Sequence, residues 1–140
     1  MKSDVILINI TKFVTPFVLI FALYTQFHSK ISPGGGFQAG VIFACPFICY
    51  MYIYNLDALK KIISYLLLLR LCALGVIIYS TVGFINIIGG NNYLDYNQLL
   101  SKKIHGQTLG ITLVEIGVGI TVFASMLIML MLFSEKKLKK

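Results

Sequence analysis

Four long apolar runs, separated by short polar segments, dominate the chain. The first covers residues 5–27 and carries Asn9 and Lys12 near its start; the second covers 37–54. The third covers 62–88 and contains Arg70, and the fourth covers 106–133 and contains Glu115. A helix needs about 20 residues to cross the hydrocarbon of a bilayer, and only the second run is a little short of that. Barrel strands alternate with a period of two, whereas these runs are continuous. The pattern predicts an all-α integral membrane protein of about four transmembrane helices, with residues 1–140 forming a single membrane domain. Lys2 and Lys12 give the first run the look of a signal peptide, but it ends in Tyr24-Thr25-Gln26-Phe27-His28 with no small-x-small cleavage site. It is expected to be a retained helix.

The connections are short: His28 to Gly36, Asn55 to Lys61, and Gly89 to Ile104, the last holding Tyr93-Leu94-Asp95-Tyr96. None has room for a catalytic domain, so no enzymatic activity is expected. With four spans, both termini and the middle loop share one side. That side holds Lys2, Lys12, Lys60, Lys61, Arg70, Lys136, Lys137, Lys139 and Lys140, against Lys30, Lys102 and Lys103 on the other. The excess of positive charge places both termini in the cytoplasm.

Composition agrees with this reading. The chain is 58% hydrophobic and 12% charged, about half the charged share of a soluble domain. Its net charge of +7 is scattered between apolar runs or gathered at the C-terminus. A nucleic-acid surface would pool it on one face, so the basic residues are taken as interfacial anchors. Cys45, Cys49 and Cys72 all lie in apolar runs. No His or carboxylate stands near enough to complete a metal site, so they are taken as packing residues, and neither metal nor cofactor is expected.

Glu115 is the most informative residue. Measured from Gly106 it lies about 14 Å into a core about 30 Å thick, near the midplane. An ionised carboxylate there is costly, so it is expected to be protonated, paired or next to water. His105, Thr108, Thr112, Glu115 and Gly119 fall within an arc of about 80° on the fourth helix. This polar seam is taken as a proton or cation relay; the alternative is a neutral Glu bonded to a neighbouring helix. Gly106, Gly110 and Gly117 make a separate small-residue face suited to close helix approach. Two such faces suggest protein on both sides, and hence a subunit of a larger assembly.

Other positions keep two readings. His105 opens the fourth helix as a pH-sensitive gate or as a solvated interfacial residue. Arg70 snorkels to the interface if its helix starts near Leu71, or pairs with Glu115 if it starts at Ile62. Pro33-Gly34-Gly35-Gly36-Phe37-Gln38-Ala39-Gly40 either exposes free N–H groups to an anion or a water chain, or forms a tight turn wedged against its neighbours. Pro16 and Pro46 are each able to bend a spanning helix.

Two segments together resemble a known family. Ser32-Pro33-Gly34-Gly35-Gly36-Phe37-Gln38-Ala39-Gly40 is similar to the signature stretch of the MnhB/MrpB-like subunit of the multisubunit Mrp-type Na⁺/H⁺ antiporters. His105-Gly106-Gln107-Thr108, followed by Glu115-Ile116-Gly117-Val118-Gly119, resembles that family's last helix, and the length, the four spans and the motif order agree. The resemblance implies a small multi-pass subunit in a bacterial plasma membrane, packed against larger transport subunits of a complex that exchanges Na⁺ for H⁺. It carries Glu115 over as the intramembrane carboxylate and His105 as the residue opening the last helix. It names as partners the other subunits, the lipid bilayer and the two ions, with no nucleic acid. Rival readings are a purely structural subunit of a related complex I-like or membrane-bound hydrogenase-like assembly, and an autonomous small proton-coupled exporter. The exporter reading suits a membrane Glu in the first helix among aromatic residues including Trp, whereas here the Glu is in the fourth and Trp is absent.

Overall fold

A computed structural model describes residues 2–28, 34–90, 92–94, 96 and 103–138, with the backbone alone at 2–4, 103–105 and 137–138. It contains five helices: α1 (Lys2–Phe27), α2 (Gly36–Tyr54), α3 (Leu56–Ile62), α4 (Tyr65–Ile88) and α5 (Lys103–Leu138). All but α3 are long and apolar enough to cross a membrane, over Val5–Phe27, Gly36–Tyr54, Tyr65–Ile88 and Gly106–Lys136. In hydrocarbon every backbone N–H and C=O must be satisfied within the segment, which is why continuous apolar runs settle as helices. The four-span reading holds, with two boundaries moved. The third span starts at Tyr65 rather than Ile62, and the fourth continues past Phe133.

The moved boundary comes from α3. Asn55, with φ 73°, turns the chain at the end of α2, a left-handed conformation that Asn adopts more readily than most residues. Leu56, Leu59 and Ile63 then turn inward and are buried, while Asp57 and Lys61 stay exposed. Ser64 closes the break, its Oγ accepting from the Leu67 N–H at 3.2 Å as the N-cap of α4. Lys60 pairs with Glu135, tying α3 to the far end of α5.

The helices stand in a row: α1 against α2, α2 against α5, and α5 against α4. Backbones set the spacing. A Cβ on Gly75 would lie 2.6 Å from the Gly117 carbonyl oxygen, and one on Gly40 would lie 2.6 Å from the Gly119 carbonyl oxygen. At 100° per residue, Gly117 and Gly119 point to nearly opposite sides of α5, so α2 and α4 flank it. Thr121 donates to the Gly117 carbonyl at 2.8 Å, keeping its hydroxyl on its own helix beside Gly75.

These contacts also fix the heights. Gly75 and Tyr79 are level with Gly117, and Gly36 is level with Glu115 and Gly119. The first residue of α2 therefore meets the middle of α4, and α4 and α5 rise about 15 Å beyond the α1–α2 turn. At the other end α4 stops short of α1 and α2, and α3 fills the step. Leu56, Leu59 and Ile63 pack there with Ala44, Leu68, Ala124, Leu127 and Met131. Phe43 and Phe47 both meet the Phe123 ring edge-on, at 5.5 and 5.4 Å.

The raised ends of α4 and α5 are capped by tyrosines. The ring of Tyr93 sits where Gly83 lacks a side chain, and that of Tyr96 sits where Gly110 lacks one. Burial, and then the neighbouring Tyr79 and Tyr93, push the Tyr96 phenol above its ordinary value of 10.0. A raised phenol favours the neutral form in the fold. Its contribution to stability is whole below the unfolded value and is lost as pH rises through the folded one.

Two outcomes follow from this packing. Gly75→Ala drives a methyl into Thr121 and the Gly117 carbonyl, and is expected to cost about 1–3 kcal/mol. Thermal unfolding in detergent will show it, with Gly89→Ala, at an exposed position with φ −73°, changing stability by less than about 0.5 kcal/mol. In an alkaline absorbance titration of tyrosinate, Tyr96→Phe is expected to remove a component that ionises above the ordinary tyrosine value. If that component survives the substitution, Tyr96 is not the group held neutral.

Candidate ion site at the glycine turn

Gly34 and Gly35 lead the chain into α2. Gly35 takes φ 152° and ψ 170°, a region open almost only to glycine. A Cβ on Gly36 would overlap the Glu115 carbonyl oxygen and lie 2.8 Å from its carbon, so the start of α2 rests directly on the backbone of α5. Gly34 is half-buried, Gly36 is buried and Phe37 is exposed. Pro33 lies outside the described residues. The N-cap, Gly35, offers no side-chain bond to the first turn of α2, so this positive helix end stands uncapped beside the Glu115 backbone.

The Glu115 side chain is half-buried. Its depth depends on the neighbour used as ruler: it is near the middle of α4 but level with the very start of α2. The midplane estimate from Gly106 describes the α4 side of α5 alone. Thr108 and Thr112 are half-buried on the same face, and both stand above the start of α2. Thr112 donates to the Thr108 carbonyl at 2.8 Å, so its proton is held within α5. The backbone of His105 lies in the first turn of α5, and its side chain lies outside the described residues.

On the opposite face Gly117 lies against Gly75 and Gly110 against Tyr96, and Gly106 is buried. The small-residue face is thus met at Gly117 by α4 and at Gly110 by Tyr96, and the polar seam is met by α2 only at Glu115 and Gly119. Arg70 is exposed, about 8 Å inside the start of α4 and about 13 Å along the axis from the level of Glu115. The start of α4 at Tyr65 falls between the two starts, Ile62 and Leu71, on which the readings of Arg70 turn.

Gln26 escaped the sequence reading. It is 9% exposed, and its Oε1 lies 2.9 Å from where a Gly119 Cβ would be. Its Nε2 is buried with no hydrogen-bond partner among the described residues, a costly condition. The residue lines an otherwise apolar cavity of about 260 Å³ with Ala22, Phe43, Ile120 and Phe123. A polar residue in the last turn of a span looks interfacial in sequence. Here the step buries it beneath the turn, one helical turn along α5 from Glu115.

Residues 6–128 match the family described as a domain related to the MnhB subunit of Na⁺/H⁺ antiporter. The B-type subunit of the Na⁺/H⁺ antiporter of Alkalihalophilus pseudofirmus is 30% identical over 131 residues, covering 86% of this chain and 90% of the relative. A Staphylococcus haemolyticus protein named as antiporter subunit mnhB2 is 28% identical over 142 residues, covering 97% and 98%. Its namesake in Staphylococcus aureus strain Newman is 28% identical over 137 residues, covering 89% and 95%. A match that runs from the first span almost to the end of the last shows that the chain belongs to the MnhB family of multi-pass bacterial membrane proteins.

Proposed function

We propose that the chain is a small subunit of a multisubunit Na⁺/H⁺ antiporter of the bacterial plasma membrane, working among larger transport subunits rather than alone. In this reading Glu115 contributes a carboxylate to the ion or proton path, and Thr108, Thr112 and His105 line the approach to it from the raised end of α5. Both termini lie in the cytoplasm, because Lys60, Lys61 and Lys136 share the end of the molecule that carries α3 and the last turns of α5.

The observation that carries the reading is the contact of Gly36 with the Glu115 backbone. It sets a carboxylate, a polar turn and a helix N-terminus at one level, below the outer ends of α4 and α5. Ionisable groups within spans are rare and mark ion pathways. A polar turn at that depth is stable only against protein or water. Water above the turn reaches Glu115 without crossing the apolar packing of α2 against α5.

The test is Na⁺-driven ΔpH in vesicles carrying the whole complex, comparing Glu115→Gln with the parent and checking assembly by native gel in the same samples. Exchange is expected to fall on the order of 100-fold, the scale of a lost proton-transfer group, with assembly unchanged. Full exchange in an assembled Glu115→Gln complex would make the carboxylate a packing group and the subunit a scaffold.

A further inference from the structure

The ion path leaves unused a second cavity, at the opposite end of the molecule. A groove of about 350 Å³ runs between α1 and α2, with Leu19 and Phe47 at its deep end and Thr11, Lys12, Thr15, Tyr50 and Tyr54 nearer the basic end. Lys12 lies about 10 Å along the axis from the start of the first span at Val5, and its ammonium has no ion pair or hydrogen bond among the described residues. An unpaired cation at that depth is costly unless it snorkels or meets an anion.

Thr11, Thr15, Tyr50 and Tyr54 place four hydroxyls beside it. Thr25, Thr81, Thr112 and Thr121 each donate to a carbonyl three or four residues back on their own helix. Thr11 and Thr15 donate to nothing among the described residues, and the Tyr50 and Tyr54 hydroxyls make no hydrogen bond there either. Four free hydroxyls and one free ammonium, counted among the described residues, thus line the mouth of a groove whose floor is apolar.

We propose that this groove holds one anionic diacyl phospholipid. Its phosphate sits at Lys12, the Thr and Tyr hydroxyls donate to phosphodiester and ester oxygens, and one acyl chain lies along Leu19 and Phe47. Charge selects the ligand: the groove offers a cation and donors, and Lys60 and Lys61 stand at the same end of the molecule, beside Ile62 of the groove wall, the pattern that attracts anionic headgroups. A helix with its side chains is about 10–12 Å across, so two turns of a partner helix occupy about three times the groove's volume; a lipid enters it with part of one acyl chain and leaves the rest in the bilayer.

The experiment uses the full chain, purified in mild detergent with the subunits that accompany it and stripped of loosely held lipid. Dioleoyl phosphatidylglycerol and dioleoyl phosphatidylcholine are titrated separately, and bound lipid is counted by native mass spectrometry. One phosphatidylglycerol is expected per chain, held at least about fivefold more tightly than phosphatidylcholine. Lys12→Gln should weaken phosphatidylglycerol about fivefold, the effect of one lysine near an anionic headgroup, and weaken phosphatidylcholine less, because its choline cation offsets the phosphate charge. Thr15→Phe, which fills the groove, should weaken both, while Lys136→Gln, away from it, should weaken neither. Equal retention of the two lipids, or phosphatidylglycerol binding unaffected by Lys12→Gln and Thr15→Phe, overturns the proposal. So does complete cross-linking of a Thr15→Cys chain to another subunit, which would mean that a partner helix covers the groove.

Discussion

Backbone-to-backbone approach at α5 is the constraint on which the rest of the molecule depends. Lipid tails are as apolar as leucine, so helices in a bilayer gain little by hiding apolar side chains from one another. They associate where small residues let backbones close in. On one side of α5 Gly117 meets Gly75, and on the other Glu115 and Gly119 meet Gly36 and Gly40. Each contact fixes a height as well as a distance, because a notch one residue wide admits a neighbour at one register only. The two sides chose different registers, and the step between α2 and α4 is the result.

A stepped row has two incomplete ends, and each is closed locally. At the basic end α3 tucks Leu56, Leu59 and Ile63 under the start of α4, and the Lys60–Glu135 pair holds it to α5. An exposed pair of this kind is worth little energy, so the buried leucines do the holding and the charges set the orientation. At the raised end the rings of Tyr93 and Tyr96 occupy the glycine notches of α4 and α5. These two rings thus cover the α4–α5 contact, which accounts for Tyr93 and Tyr96 in a segment otherwise rich in Gly and Asn.

The four spans were legible because length and apolar continuity alone decide them. The seam of Thr108, Thr112 and Glu115 was legible for a similar reason: at 100° per residue, which residues share a face needs no tertiary knowledge. The short helix α3 was not. Seven residues ending in Lys60-Lys61-Ile62 read as a charged loop, and only the step leaves the space that its leucines fill. The partners of Gly117 were equally hidden, since Gly75 is one of two glycines, with Gly83, within an apolar run and its meaning lies in the helix facing it. Gln26 and the depth of Glu115 escaped for the same cause. Each is set by the register between two helices, which no single helix records.

That register bears on where the bilayer lies. A slab of hydrocarbon about 30 Å thick cannot be centred on both α4 and the α1–α2 pair when they are displaced by about 15 Å. Centred on the pair, it leaves Phe84, Ile85, Ile87 and Ile88 beyond the lipid, although all four are exposed and Ile88 is 85% so. Moved outward to cover them, it draws the glycine turn and Glu115 below the surface. Irregular backbone at membrane depth persists only where protein or water meets its free polar groups. The apolar crown of α4 therefore argues for protein or water above the turn, and water there is the setting that the proposed ion path through Glu115 requires.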